Sequence, residues 1–170
     1  ELRAAGSSLP VVILTARDSS LAAEFSGRTP SVMARKSDSS FAFPLGNVEL
    51  AFPLNPAGPV GEVAVVTRTG TERGPRLAEP PSLSPADLVK YAGTYWSDEL
   101  QVSYSVEVTA GKLFVHKPGA SGVELKLFAP DLFAANVGKL SFRRGSDGNV
   151  SGFRLSTSRS EGIEFVRKDG

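Results

Sequence analysis

The fold is decided by the stretch Gln101-Val102-Ser103-Tyr104-Ser105-Val106-Glu107-Val108-Thr109. Val102, Tyr104, Val106 and Val108 fall on one side of an extended chain, and Gln101, Ser103, Ser105 and Glu107 fall on the other. A period of two marks a strand with one buried and one solvated face, whereas a helix repeats its apolar positions every three to four residues. Ala110-Gly111 turns the chain, and residues 112–117 return as a second strand. After the loop Pro118-Gly119-Ala120-Ser121, Val123, Leu125 and Leu127 alternate with Glu124 and Lys126. Residues 132–137 and 139–144 read as two more strands, and 150–157 and 162–168 close the set. Between them Ser146-Asp147-Gly148-Asn149 is a hairpin signal, because Asp-Gly accepts the positive φ that tight turns need. Seven or eight short strands in about 75 residues predict an antiparallel barrel or sandwich rather than βαβ units. Strands this short predict a barrel filled by its own side chains, with at most a modest cavity.

Upstream, residues 84–91 predict one short helix, with Ser84 as N-cap, Pro85 at the first helical position and Gly93 just past the end. Before it, Gly74 to Ser82, with Pro75, Pro80 and Pro81, reads as a linker. The chain also repeats itself at a spacing of about ninety residues. Phe41-Ala42 and Gly46 return as Phe133-Ala134 and Gly138, and Leu50-Ala51-Phe52 returns as Leu140-Ser141-Phe142. Gly58-Pro59-Val60 returns as Gly148-Asn149-Val150, and Gly61 as Gly152. Such a period indicates a duplicated small unit. The first copy has plausible strands at 11–14, 21–25, 32–35, 41–45, 48–52 and 61–67. It has no counterpart of the helix or of Gly93-Thr94-Tyr95, and Glu1-Leu2 matches Glu99-Leu100 best. The expected organisation is therefore all-β: an incomplete first barrel at 1–79, a linker at 80–84 and a complete second barrel at 85–170. A barrel beginning part-way through would carry two unpaired edges, so the chain reads as a fragment of something longer.

Composition removes several functions. Formal charge is +1, with both signs scattered, which argues against the basic stripe of a nucleic-acid binder. No apolar run approaches the length of a membrane-spanning helix. With no cysteine there is no disulfide, thiolate nucleophile or Cys-ligated metal. No cofactor motif stands out, and neither compartment nor oligomeric state is fixed.

The second copy, over residues 91–168, resembles the small lipocalin-like β-barrel that follows the catalytic domain in many bacterial serine hydrolases of the β-lactamase and penicillin-binding type. The resemblance rests on Tyr91-Ala92-Gly93-Thr94-Tyr95, Asp98-Glu99-Leu100, Gly111-Lys112-Leu113 and Ala129-Pro130-Asp131 with Phe133. It continues through Leu140-Ser141-Phe142-Arg143-Arg144, Gly148-Asn149-Val150-Ser151-Gly152-Phe153 and Gly162-Ile163-Glu164-Phe165-Val166-Arg167. The family commonly has an acidic residue where Arg144 stands, which puts one local salt bridge in question. The first copy matches more loosely and departs at Pro44, Pro53 and Pro59. Two barrels in tandem are similar to the C-terminal region of the D-aminopeptidases of this superfamily. The resemblance implies a lipocalin-like barrel duplicated in tandem, acting as a noncatalytic accessory region. Its partner would be a catalytic serine hydrolase domain of the same parent chain, in a periplasmic or extracellular setting, with peptides or D-amino-acid compounds as substrates.

The residues agree that the catalytic chemistry is elsewhere. That superfamily uses Ser-x-x-Lys, and none of Lys36, Lys90, Lys112, Lys117, Lys126, Lys139 or Lys168 has a serine three positions before it. Lys-Thr-Gly and Gly-x-Ser-x-Gly are absent as well. Three residues remain as candidate ligand or partner contacts. His116, the only histidine, reads as a surface residue before it reads as a base. Tyr104 reads as core before cavity lining, and Trp96 as packed against the barrel before forming an exposed recognition patch. Arg143-Arg144 and Arg167-Lys168 read as solvated strand ends before an anion site. Ser37-Asp38-Ser39-Ser40 lacks the alternating carboxylates of a calcium loop and reads as a turn. Two alternatives stay open: a stand-alone carrier holding an apolar ligand in its barrel, and a structural docking module with an exposed apolar patch near Trp96.

Overall fold

The computed structural model describes residues 2–4, 12–17, 20–25, 29–43, 48–53, 60–79, 82–157 and 159–168, and the structure below is that of these residues. The chain divides into two units, residues 1–79 and 80–170. All structure is β apart from one short helix among the described residues.

The second unit opens with α1 (Pro85–Val89). Ser84 Oγ accepts the Asp87 N–H at 3.2 Å, and the Asp87 carboxylate accepts the Ser84 N–H at 3.3 Å, a reciprocal cap at the place the sequence indicates. Eight strands follow: β9 (Gly93–Ser97), β10 (Val102–Thr109), β11 (Lys112–His116), β12 (Val123–Ala129), β13 (Leu132–Ala135), β14 (Gly138–Arg144), β15 (Val150–Ser156) and β16 (Ile163–Lys168). Each pairs antiparallel with the next, and β16 returns to β9 through Val166–Trp96, Arg167–Tyr95 and Lys168–Thr94. The barrel is closed, which removes its edges.

The alternation in residues 102–109 sets the faces as read: Tyr104 and Val106 are buried, while Glu107 and Thr109 are exposed. Inside, rings follow one another in contact. Tyr104 meets Phe165 (4.6 Å between centroids), Phe165 meets Phe153 (4.6 Å), Phe153 meets Tyr95 (5.0 Å) and Phe142 (5.3 Å), and Phe142 meets Tyr91 (5.0 Å). Each pair adds about 0.5–1.5 kcal/mol to simple burial. Leu88 of α1 and Leu83, just before its cap, pack against this core. Gly152 is dictated by the same closeness, since a Cβ there would collide with the Phe165 carbonyl oxygen on β16.

The first unit comprises β1 (Leu2–Ala4), β2 (Val12–Arg17), β3 (Ser20–Phe25), β4 (Ser31–Arg35), β5 (Ser40–Ala42), β6 (Glu49–Ala51), β7 (Glu62–Thr67) and β8 (Gly70–Pro75), in that order across one antiparallel sheet. Its register repeats that of the barrel. Phe41 pairs with Leu50 and Leu50 with Val65, as Phe133 pairs with Leu140 and Leu140 with Leu155. Leu21–Met33 matches Leu113–Leu125, and Ala4–Val12 matches Tyr95–Tyr104. The sheet curls until its ends meet at a single bridge, Ala4 to Arg76, at the position where Tyr95 pairs with Arg167.

The first unit thus has the strand that its sequence seems to lack. β1 stands where β9 stands, so Leu2 corresponds to Gly93 and not to Leu100. The lightness lies in its closure and core instead. Ala4, Val12, Val63 and Gly74 hold the places of Tyr95, Tyr104, Phe153 and Phe165. Its core is built from smaller residues, including Leu14, Ala23, Met33 and Leu50, with Phe25, Phe41, Phe43 and Phe52 packed against them.

Three details of the sequence reading are corrected here. Gly74 and Pro75 belong to β8 rather than to the linker. Pro75 takes the place of Val166, where a residue without an N–H cannot donate to the ladder. Gly61 is not the counterpart of Gly152, because Glu62 pairs with Pro75 as Gly152 pairs with Val166. β5 ends at Ala42, short of the strand expected over 41–45. Val11, Pro44, Leu45, Gly46, Gly58, Pro59 and linker residues 80 and 81 lie outside the described residues.

Candidate functional site

Tyr91, directly after α1, joins the helix to the barrel. Its Oη donates to Asp131 Oδ1 at 2.7 Å and accepts from Arg144 Nη2 at 3.1 Å. Arg144 grips both Asp131 oxygens, at 2.6 and 3.0 Å, and donates to the Gly148 carbonyl at 2.9 Å. Tyr95 Oη donates to the Tyr91 carbonyl at 2.6 Å, so both tyrosines pin the same segment. The Arg144 hydrogen bonds hold Asp131 below the usual carboxylate range. Burial first, and then the Asp131 hydrogen bond, push Tyr91 up to about 12. The cluster fastens the end of α1 to Asp131 and to Arg144 of β14. The salt bridge in question at Arg144 is made, to Asp131 at 2.6 Å.

The three sequence candidates do not converge on one pocket. Tyr104 is inside, stacked on Phe165, and burial raises its phenol. Trp96 and His116 are on the outer face, flanking β10: Trp96 lies opposite Ser103, and His116 opposite Ser105. Trp96 is half-buried, its Nε1 donating to Asp98 Oδ1 at 2.7 Å, with Lys168 Nζ 4.5 Å from its ring centre. The His116 ring lies so close over Gly122 that a Cβ there would strike it.

Sequence reading missed a cluster around His116. Ser105 Oγ donates to Glu107 Oε1 at 3.2 Å, and His116 Nε2 stands 3.7 Å from Glu107 Oε2. These are the residue types of a hydrolase triad in the wrong order. Here the carboxylate reaches both the hydroxyl and the imidazole, unlike the hydroxyl–imidazole–carboxylate chain of a triad. Residues two apart on a strand, facing a neighbour across the ladder, were the available signal.

Beyond the fastener an open groove runs between the end of α1, the β14–β15 turn and β16. Lys90, Thr94, Asn149, Val166, Arg167 and Lys168 line it. Gly93, at φ +153°, lets the Arg167 guanidinium lie against the backbone, where a Cβ would come within 3.1 Å of Nε. Among the described residues no three His, Cys, Asp or Glu side chains gather as a metal site, and no helix is long and apolar enough to cross a membrane. Neither a scan against protein-family models nor a search of curated proteins finds a match to this chain.

Proposed function

We propose that this chain is a noncatalytic accessory region of a bacterial serine hydrolase of the β-lactamase-like superfamily, supporting or gating the active site of a catalytic domain in the same parent protein. The observation that carries this reading is the filled barrel. Aromatic rings from Tyr104 to Tyr91 occupy the interior, and Leu83 and α1's Leu88 pack against them. In this reading the second unit acts through its outer face and loops. On those surfaces the one histidine lies 3.7 Å from the Glu107 carboxylate, which also accepts the Ser105 hydroxyl. Half-buried Trp96 and exposed Val166 are paired across β9 and β16, which suits a docking face. The ordered motifs from Tyr91 to Arg167 support the lipocalin-like assignment, and the strand-for-strand register extends it to the first unit. A carrier would instead need interior space, and Tyr104, the residue chosen to line it, is stacked into the core.

The test is to assay the purified chain against nitrocefin and D-alanyl p-nitroanilide. The expected result is no turnover above buffer; turnover that co-purifies with the chain and disappears on mutation of Ser105 or His116 would overturn the reading.

A further inference from the structure

The two basic pairs that stand out in the sequence end differently. Arg143 meets Glu164 at 3.1 Å, and Arg144 meets Asp131 at 2.6 Å. Arg167 and Lys168 have no carboxylate partner among the described residues. Arg167 points Nη1 at the carbonyls of Lys90 (3.1 Å) and Val150 (3.3 Å), and Nη2 at that of Ala92 (2.7 Å). Among the described residues, Lys168 meets the face of Trp96.

We propose that the groove containing Arg167 and Lys168 binds an acidic peptide segment of a partner protein. A carboxylate of that segment meets Lys168 and the Arg167 guanidinium, and an adjoining apolar side chain lies on Val166 beside Trp96.

Charge complementarity selects this occupant. The groove's one acid, Asp147, is turned into its own hairpin, accepting the Asn149 N–H at 3.0 Å and the Asn149 amide at 2.8 Å. Lys90 is held by Asp87 at 2.7 Å. The positive charge left for an incoming group is therefore that of Arg167 and Lys168, enough for one or two carboxylates. It is too little for nucleic acid or a lipid surface, which need longer basic arrays. Val166, 52% exposed and directly across the ladder from Trp96, supplies the apolar half of the contact. Thr94 and Asn149 add polar groups at the rim for a peptide backbone. A peptide alternating acidic and branched apolar residues matches this pattern, whichever protein carries it, so the inference stands apart from the identity of the catalytic partner.

The chain's single tryptophan makes the test local. A fluorescein-labelled peptide alternating leucine and glutamate is titrated by anisotropy, with Trp96 emission followed in parallel on unlabelled peptide. Saturable binding is expected, about tenfold weaker in Lys168→Glu and nearly unchanged in Lys168→Arg. Val166→Ser, on the outer face, should weaken it more mildly and leave the fold intact. A leucine–lysine peptide should not bind. The proposal is overturned by the absence of saturable binding, by equal binding of the lysine peptide, or by indifference to Lys168→Glu. It is equally overturned if inorganic phosphate or phosphatidylglycerol vesicles displace the peptide at comparable charge concentration.

Discussion

Phe153 lies nearly flat on Phe165, with ring centroids 4.6 Å apart and planes 15° from parallel, across a register pair of β15 and β16. Val63 and Gly74 hold the same two positions in the first unit. Two sheets of the same register thus carry cores of different weight, and a difference in stability follows.

Phe153→Ala should destabilise the second unit by about 3–5 kcal/mol, because it empties the centre of the ring stack. Denaturant unfolding followed by Trp96 emission reads this unit alone, as the chain has one tryptophan. In the unsubstituted chain, far-UV circular dichroism, which sees both units, should lose signal at lower denaturant than Trp96 does. Coincident transitions by both probes would contradict the difference in core weight.

The Arg144–Asp131 bridge should make acid stability depend on Asp131. Its folded pKa is lowered, chiefly by the Arg144 hydrogen bonds, so its contribution is complete above the unfolded value of 3.8 and is lost as pH falls through the folded value. Asp131→Asn should cost about 1–2 kcal/mol at neutral pH, discounted for partial exposure. Unfolding curves of Asp131→Asn and parent should converge as pH drops below 3.8. A constant gap across that window would remove the bridge from the stability account.

At the alkaline end, all three tyrosines are shifted upward, Tyr91 and Tyr95 to about 12, with burial as the first cause in each case. A raised phenol stabilises the fold fully below the unfolded pKa of 10.0, and that stability is lost as pH rises toward the folded value. Absorbance at the phenolate band should therefore show little ionisation near pH 10 and then rise together with unfolding. An ordinary tyrosine titration in the folded protein would place the rings in solvent.

Ser84→Ala should cost about 1 kcal/mol by removing the cap of α1. Because Tyr91 and Tyr95 pin the chain just beyond the helix, exchange of the Asp87 and Leu88 amides should quicken while the strands of the barrel stay protected. Loss of protection throughout β10 would mean that α1 is integral to the barrel.

The sequence makes the second unit legible because its strands alternate and its turns carry Gly, Asp and Pro where the backbone needs them. The residues 102–109 pattern, the Asp147-Gly148 hairpin and the Ser84 cap all appear where read. β1 was hidden because three residues, Leu2–Ala4, hold no period, and β8 because Gly70–Pro75 combines Gly, Pro and charge in a strand held by pairing alone. The resemblance drew attention to Tyr91, Asp131 and Arg144 singly. Their meeting depends on long-range closure, which no local pattern encodes. The groove was half visible as the Arg167-Lys168 pair, but only the structure shows which basic pair finds carboxylates.

The central claim, that these barrels serve a serine hydrolase domain, is tested most directly by extending the reading frame upstream of Glu1 and labelling its full product with a fluorescent penicillin. The expected result is a Ser-x-x-Lys helix in that frame and covalent labelling that depends on its serine, with none on the present chain alone. A frame without such a helix, or labelling of residues within 1–170, would contradict it.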